Sequence, residues 1–91
     1  MDNKFYQDDD DKINRAFDWK YWLSDTESIL SAQVTSDDDQ LIISKVVIDG
    51  SQVKYTVSGG VAGRRYMISC KITTSEGETI ERSIYLTISK L

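Results

Sequence analysis

The sequence predicts an all-β protein, an antiparallel β-sandwich of six to seven strands. In the last third of the chain, apolar and polar residues alternate in two runs, residues 66–72 and 80–88. A period of two is typical of strands that bury one face. Residues 75–78, Ser-Glu-Gly-Glu, separate the runs, and the glycine can adopt the positive φ that a short hairpin loop requires. The two runs are therefore the clearest β-hairpin in the sequence.

Four more strands are predicted before this hairpin. They cover residues 13–19, 27–35, 41–48 and 53–57. In the third of these strands the parity of the apolar residues changes, so a bulge or bend is expected near Ser44 and Lys45. Asp49-Gly50, which follows, is a preferred two-residue hairpin turn. Six short strands bounded by turn residues favour two sheets that face each other.

The length of the chain, 91 residues, corresponds to one small domain. We interpret residues 1–12 as an acidic N-terminal arm, because consecutive aspartates at 8–11 would repel one another if packed, and residues 13–91 as the sandwich. No stretch approaches the roughly 20 apolar residues of a membrane helix, and the first residues lack the pattern of a secretory signal. We therefore expect no membrane association, and a protein that is kept in a cytoplasm or packaged into something assembled there.

The charge and the reactive side chains exclude several classes of function. The net charge is −4 and the basic residues form no stripe, so binding to nucleic acid is not expected. The sequence has no histidine, and its single cysteine, Cys70, lies on the apolar face of a strand, where we expect a buried hydrophobe. The aspartates at 37–39 lack the spacing of a calcium loop and are expected to be solvated. We therefore predict no enzymatic activity, no metal and no cofactor.

An aromatic cluster after the first predicted strand has two interpretations. Trp19, Trp22 and Leu23 have the spacing of one helical turn. Together with Phe17 and Tyr21, these side chains either complete a thin core or form an exposed binding platform. We expect Trp19 to be a core anchor, and we take Tyr21 as a candidate contact to a partner.

Arg82 has the parity of its apolar neighbours Ile80 and Ile84, so it is expected to point toward the core near the mouth of the last hairpin. A guanidinium in such a position requires a carboxylate partner. Two alternatives remain open. The first is a structural ion pair that closes one end of the sandwich, and the second is a contact to a phosphate or to a protein partner.

Tyr66 begins a strand directly after the glycine-rich loop at residues 58–63. This loop opens a strand rather than a helix, so we interpret it as a permissive corner and not as a phosphate cradle. Immunoglobulin-like domains have a tyrosine at such a corner, and its hydroxyl bonds to the backbone. The position of Tyr66 therefore favours an immunoglobulin-like sandwich.

Three motifs occur in order along the chain. They are Asp18-Trp19-Lys20-Tyr21-Trp22-Leu23, Ser58-Gly59-Gly60-Val61-Ala62-Gly63-Arg64-Arg65-Tyr66, and Ile72-Thr73-Thr74-Ser75-Glu76-Gly77 with Glu81-Arg82-Ser83. In this order and spacing, the motifs resemble those of a family of bacteriophage structural proteins, the fiber–tail adaptor proteins, over about residues 8–90. The chain departs from the family pattern at the Arg64-Arg65 pair, where small polar residues are usual, and at Cys70, which replaces a polar residue.

The resemblance implies an immunoglobulin-like protein of the virion tail that helps to join tail or fiber components. It implies other tail or fiber proteins as partners, assembly in the cytoplasm of a host bacterium, and no catalytic residues. Arg64 and Arg65 flank the glycine corner and are, with Tyr21, our candidates for partner contacts. The charged residues spread over the strands discourage edge-to-edge growth, so we expect oligomers only in the assembled particle.

A stand-alone immunoglobulin-like binding or capsid-decoration module, with carbohydrate as one ligand class, is the alternative function. Such a module has the same fold, so the fold cannot separate the two functions. Exposure of Trp19 or Trp22 in a shallow groove would favour sugar binding.

Overall fold

Seven strands form the two sheets of a β-sandwich in the computed structural model, which describes residues 4–8 and 11–89. The strands are β1 (Lys4–Asp8), β2 (Lys12–Asp18), β3 (Ile29–Ser36), β4 (Leu41–Asp49), β5 (Gln52–Gly59), β6 (Arg65–Thr74) and β7 (Thr79–Ser89). A single 3-10 turn, Lys20–Trp22, follows β2. The prediction of an all-β sandwich is confirmed. Among the described residues, no helix has the length and apolar character needed to cross a membrane.

The order of the strands is β1-β7-β6-β3 in one sheet and β2-β5-β4 in the other. All neighbouring strands are antiparallel except β1 and β7, which are parallel. With the strands lettered A to G in chain order, the sheets have the orders A-G-F-C and B-E-D. Constant-type immunoglobulin domains keep the same B-E-D and C-F-G groups, but they place strand A beside B.

Strand β1 lies within the segment that we interpret as an N-terminal arm. It pairs with residues 85–89 of β7. A parallel pair has no connecting turn, so no local sequence signal marks it. Gln7 in this strand is buried, and its side-chain amide donates a hydrogen bond of 3.1 Å to the carbonyl of Val57 in the other sheet. The division of the chain into an arm and a sandwich stays an interpretation.

The core lies between the two sheets and consists mainly of the alternating residues that the sequence singles out. Its buried apolar members are Phe17, Trp19, Ile29, Val34, Leu41, Val53, Tyr55, Val57, Tyr66, Ile68, Cys70, Ile72, Leu86 and Ile88. In β6 the buried residues alternate along the whole strand, as expected for a strand with one buried face. Trp19 is fully buried, so its expected role as a core anchor is confirmed.

Both predicted hairpin turns are present in the structure, but the turn between β4 and β5 lies one residue later than predicted. Gly77 has a φ of 81° in the loop between β6 and β7, as predicted. The turn between β4 and β5 contains Gly50 and Ser51, because Asp49 pairs with Gln52 in the ladder. The prediction of Asp49-Gly50 as the two turn residues is therefore wrong by one position. Gly50, with a φ of 60°, is the first turn residue and not the second.

The predicted irregularity in β4 is confirmed. The register between β4 and β5 shifts between Ser44 and Val47, and Lys45 has a φ of 54°. Positive φ is uncommon for a residue other than glycine and here accompanies a bulge. The bulge bends the strand at the point where the apolar parity changes in the sequence.

Tyr66 forms the expected corner. Its hydroxyl accepts a hydrogen bond from the Val61 N–H at 2.9 Å and donates one to Oε1 of Gln40 at 3.0 Å. Gly60 is required beside it, because a Cβ on this residue would lie 2.8 Å from Cγ1 of Ile88. The corner thus ties the β5–β6 loop to the β3–β4 loop at one end of the sandwich.

Candidate functional site

A groove opens on one side of the sandwich, between the edge strand β2 of one sheet and the part of β7 in the other sheet that β1 does not cover. Its volume is about 450 Å³. It is lined by Asn14, Arg15, Ala16, Phe17, Asp18, Tyr21, Trp22, Tyr55, Arg82 and Ile84. The volume lies in the range of ligand-binding clefts, and aromatic residues with a few polar groups are the usual lining of such clefts.

Arg82 lines the groove and contacts the aromatic cluster. Its guanidinium carbon is 4.0 Å from the ring centre of Trp22 and 5.3 Å from that of Trp19. Its Nη1 donates a hydrogen bond of 3.0 Å to the carbonyl of Asp18. In residues 4–8 and 11–89 Arg82 forms no ion pair, so the alternative of a structural ion pair is wrong. Two indole faces and a carbonyl at the end of β2 hold the charge instead.

The four aromatic residues of the cluster divide between the core and the surface. Phe17 and Trp19 are buried and stacked, with ring centres 6.5 Å apart. Trp22 packs edge-on against Trp19 at 6.0 Å and remains 45% exposed, and Tyr21 is 85% exposed. The core interpretation is confirmed for Phe17 and Trp19. Tyr21 and Trp22 are exposed, and their use as a binding platform stays a prediction.

The fully buried Trp19 has one poorly satisfied polar group. Its indole N–H forms no hydrogen bond of ordinary geometry among the described residues, and it makes only a weak contact to the sulfur of Cys70. The thiol of Cys70 is also buried, and this burial raises its pKa to about 11, against the smaller lowering effects of the contact from Trp19 and of the charge of Arg82. Cys70 is therefore confirmed as a buried side chain. A thiol whose pKa is raised in this way is protonated at neutral pH, and the thiol is a weaker nucleophile than the thiolate.

Arg64 and Arg65 lie at the opposite end of the sandwich from Tyr21. Arg64 donates a hydrogen bond of 2.9 Å to Oε1 of Gln40, and its Nη2 is 3.7 Å from Oδ2 of Asp38. The guanidinium of Arg65 stacks over the ring of Tyr85, 4.9 Å from its centre. The structure thus brings the two arginines to one end and does not bring Tyr21 to them. Their role in partner contacts stays a prediction.

Two of the aspartates at 37–39, Asp37 and Asp38, accept hydrogen bonds from the backbone of the protein. Oδ1 of Asp37 accepts a hydrogen bond of 3.1 Å from the N–H of Met67, and Oδ1 of Asp38 accepts one of 2.9 Å from the N–H of Gln40. Asp37 thereby joins the β3–β4 loop to β6. The carboxylates hold the shape of the loop, a function that residue spacing alone does not indicate.

One carboxylate that precedes β3 and two carboxylates of the β6–β7 loop meet at the end of the sandwich opposite the β3–β4 loop. Ligand oxygens of Glu27, Glu76 and Glu78 lie within 4.8 Å of one another, and these are side chains of the described segments that could hold a cation. Ser24 donates hydrogen bonds to both Glu27 and Glu76. Hydrogen bonds from the Thr74 side chain and the Ser24 backbone lower the pKa of Glu27. The cluster was missed in the sequence because the β3–β6 pairing brings its members together.

A second apolar surface follows the edge strand β4. Ile42, Val46, Val47 and Ile48 are exposed there, and β4 pairs with β5 on one side only. An open depression of about 790 Å³ adjoins this strand. The bulge and the lysine at position 45 interrupt the edge, and both features are known to discourage pairing with another strand.

The family model for the podophage GP4 fiber-tail adaptor protein gp77 matches residues 7–87. No curated protein matches the chain. The matched range contains all three motifs of the sequence analysis, the whole of β2 and residues 79–87 of β7. The resemblance noted there is confirmed. This chain belongs to the family of the podophage GP4 fiber-tail adaptor protein gp77.

Proposed function

We propose that the protein is an immunoglobulin-like adaptor of the virion tail that joins tail and fiber components by surface complementarity. The observation that carries this proposal is the family match over residues 7–87, which is most of the chain. In this proposal the partners are other tail or fiber proteins, and assembly takes place in the host cytoplasm. The protein acts as a binding module and not as an enzyme.

The surface supports a role in protein binding. Tyr6, Tyr21 and Trp22 are exposed aromatic residues, and β4 adds four exposed aliphatic ones. Aromatic side chains and arginine are enriched in protein–protein interfaces relative to the rest of the surface. A small domain has few large apolar side chains for its core, yet Trp22 and Tyr21 are exposed to solvent. Their exposure supports a role in binding a partner rather than in stabilising the fold.

The adaptor role can be tested by measuring which proteins purified virions contain and by imaging where this protein lies in them. In phage that carry a tagged copy of the gene, the protein should be found in purified particles, and imaging should place it between tail and fiber. Particles made without the gene should lack fibers, and the intact gene supplied in trans should restore them. Absence of the protein from purified virions would refute the role.

The arginine pair gives a residue-level test of the same proposal. Replacing both Arg64 and Arg65 with serine should cost only about 1–2 kcal/mol of folding stability. The contacts removed are those of Arg64 with Gln40, with Asp38 and with the ring of Tyr66, whose centre is 5.7 Å away, and that of Arg65 with Tyr85. Incorporation into tails should nevertheless fall, because the positive charge at the glycine corner is lost. A matched control replaces Lys71, an exposed lysine on β6, with serine. If the double variant is fully incorporated and the phage is fully infectious, the two arginines do not contribute to the interface.

Carbohydrate binding is a second candidate, favoured by one observation. Trp22 is 45% exposed and lines the groove, which is the exposure expected for a sugar-stacking residue. The guanidinium of Arg82, however, already covers the ring of Trp22 at 4.0 Å. Titration of the protein with oligosaccharides from the host cell surface, followed by tryptophan fluorescence, tests this candidate. Saturable binding that Trp22→Ala abolishes would favour it over the adaptor role.

A further inference from the structure

The edge of β7 is only partly covered. Strand β1 pairs with residues 85–89 of β7, so residues 79–84 have no ladder partner on that side among the described residues. This open stretch has six residues and spans about 20 Å. It is the same stretch of β7 that, through Arg82 and Ile84, forms one wall of the groove.

The backbone groups that point outward from this edge follow from the hydrogen bonds at the two ends of the β6–β7 ladder. The N–H of Thr74 bonds to the carbonyl of Glu78 at 2.8 Å, and the N–H of Ile88 bonds to the carbonyl of Arg64 at 2.9 Å. Residues that face each other in an antiparallel ladder alternate between bonded and non-bonded pairs. The even-numbered residues of β7 therefore bond to β6. Consequently, the N–H and C=O groups of Glu81 and Ser83 point away from β6, toward the open side.

The side chains beside this edge suit an added strand. Ile84 and Arg82 are half-buried on the wall of the groove, and Phe17 and Tyr55 are buried residues of its lining. Trp22 and Tyr21 form an exposed aromatic rim at one end. Because successive side chains of a strand alternate between faces, every second side chain of an incoming strand would enter the groove.

We propose that residues 79–84 of β7 and the adjoining groove bind an extended segment of a tail or fiber protein as an additional strand. The apolar side chains of this segment fill the groove, and one of its carboxylates pairs with Arg82. The chemistry of the occupant is thus an alternating apolar sequence with an aspartate or glutamate. This proposal rests on the proposed function for the source of the segment.

The charge on the edge selects this occupant over a second copy of the chain. Arg82 forms no ion pair within the described segments and has five N–H donors, one of which bonds to the carbonyl of Asp18. Symmetric pairing of two copies along this short edge would bring one Arg82 close to the other, and like charges at such positions are destabilising. A partner strand with a carboxylate removes this repulsion and supplies the counter-charge. Binding of peptides at a sheet edge is a common mode of recognition, in which main-chain hydrogen bonds give affinity and side-chain pockets give specificity.

The test uses the full chain and overlapping 15-residue peptides that cover the tail and fiber proteins encoded by the same phage. Fluorescence polarisation identifies the peptides that bind, and hydrogen exchange of the backbone amides locates the contact. We expect one or a few peptides to bind saturably and to slow exchange at Glu81 and Ser83, since their N–H groups become bonded. If no peptide binds, the edge is not a docking site, whatever the location of the protein in the virion.

A proline substitution separates backbone pairing from contacts of side chains alone. Proline is tolerated on an edge strand where its missing N–H would face solvent, so Ser83→Pro should fold and should weaken peptide binding about tenfold. Ser83→Ala is the matched control, because both variants lose the Ser83–Ser69 hydroxyl contact of 2.7 Å and only the proline loses the N–H. Equal affinity of the two variants would overturn the proposal.

The proposed ion pair between Arg82 and a carboxylate of the bound peptide is tested by changing each partner in turn. Arg82→Gln should weaken binding about tenfold for a peptide with its acidic residue and much less for the same peptide with alanine at that position. A loss that is equal for both peptides would refute the pairing. Dimerisation of the protein alone that Ser83→Pro abolishes would show that a second copy occupies the edge, against the proposal. Failure of the adaptor role would appear separately, as absence of the protein from virions while peptide binding persists.

Discussion

Replacement of Trp19 by alanine should remove a large share of the stability of this domain. Trp19 is fully buried and contacts the rings of Phe17 and Trp22 and the guanidinium of Arg82. Truncation of a buried tryptophan typically costs about 3–5 kcal/mol. Since a small domain is stable by about 5–15 kcal/mol in total, the variant should be marginal or unfolded at 37 °C.

The expected magnitude can be refined from the contacts of the indole. Arg82 and Trp22 lose a stacking partner, which adds to the cost. The indole N–H forms no hydrogen bond of ordinary geometry within residues 4–8 and 11–89, so its removal should add little to the cost. Trp19→Phe keeps an aromatic ring and also removes this N–H, and we expect it to lose roughly half as much stability as Trp19→Ala or less.

Thermal and urea unfolding, followed by far-ultraviolet circular dichroism, measure both variants. A loss of about 3–5 kcal/mol corresponds to a decrease in Tm of about 12–40 °C for a domain of this size. Should the alanine variant not fold, the phenylalanine variant still gives a midpoint. A decrease below about 5 °C for Trp19→Ala, or a larger loss for Trp19→Phe than for Trp19→Ala, would refute the reasoning.

Two further predictions concern the glycine corner and an exposed ion pair. Gly60→Ala should destabilise the protein by about 2–5 kcal/mol, because its φ is 88° and the new Cβ would lie 2.8 Å from Ile88. Gly63 has the same φ, but a Cβ on it would have no atom within 4 Å. Urea denaturation of Gly63→Ala should therefore show a loss of stability of only about 1–2 kcal/mol. Equal losses of stability in the two alanine variants would contradict the steric argument. The hydrogen bond from Lys54 and the charge of Lys54 lower the pKa of Asp49. The ion pair therefore contributes to folding stability above the unfolded pKa of about 3.9, and this contribution is lost as the pH falls further. The Tm of Asp49→Asn should therefore depend less on pH than that of the unchanged protein between about pH 4 and 2, whereas identical pH profiles would show that the pair contributes nothing.

Much of this fold could be predicted because its signals are local. Alternation of side chains in β6 and β7 depends only on the two-residue period of a strand. Gly77 in the last hairpin and the parity change near Lys45 each concern a few adjacent residues. Trp19 could be predicted as a core anchor, since a small domain has few other side chains large enough to fill its interior.

The sequence could not decide which distant residues meet. The parallel pairing of β1 with β7 involves no turn, and the carboxylates of Glu27 and Glu76 are brought together only by ladder pairing. The partner of Arg82 was predicted as a carboxylate because charge complementarity is the simplest rule for a half-buried guanidinium. The fold placed two indoles and a backbone carbonyl there, since β2 ends beside β7.

The candidate site shows the same division between local and tertiary information. The aromatic cluster and Arg82 are visible as unusual residues in the sequence, and the motifs that contain them identify the family. The position of the groove depends on where β1 begins to cover β7 and on the packing of β2 across from it. Within the described ranges, the open edge at Glu81 and Ser83 is therefore a property of the tertiary structure alone, because a backbone group is paired or unpaired only with respect to the strands that fold beside it.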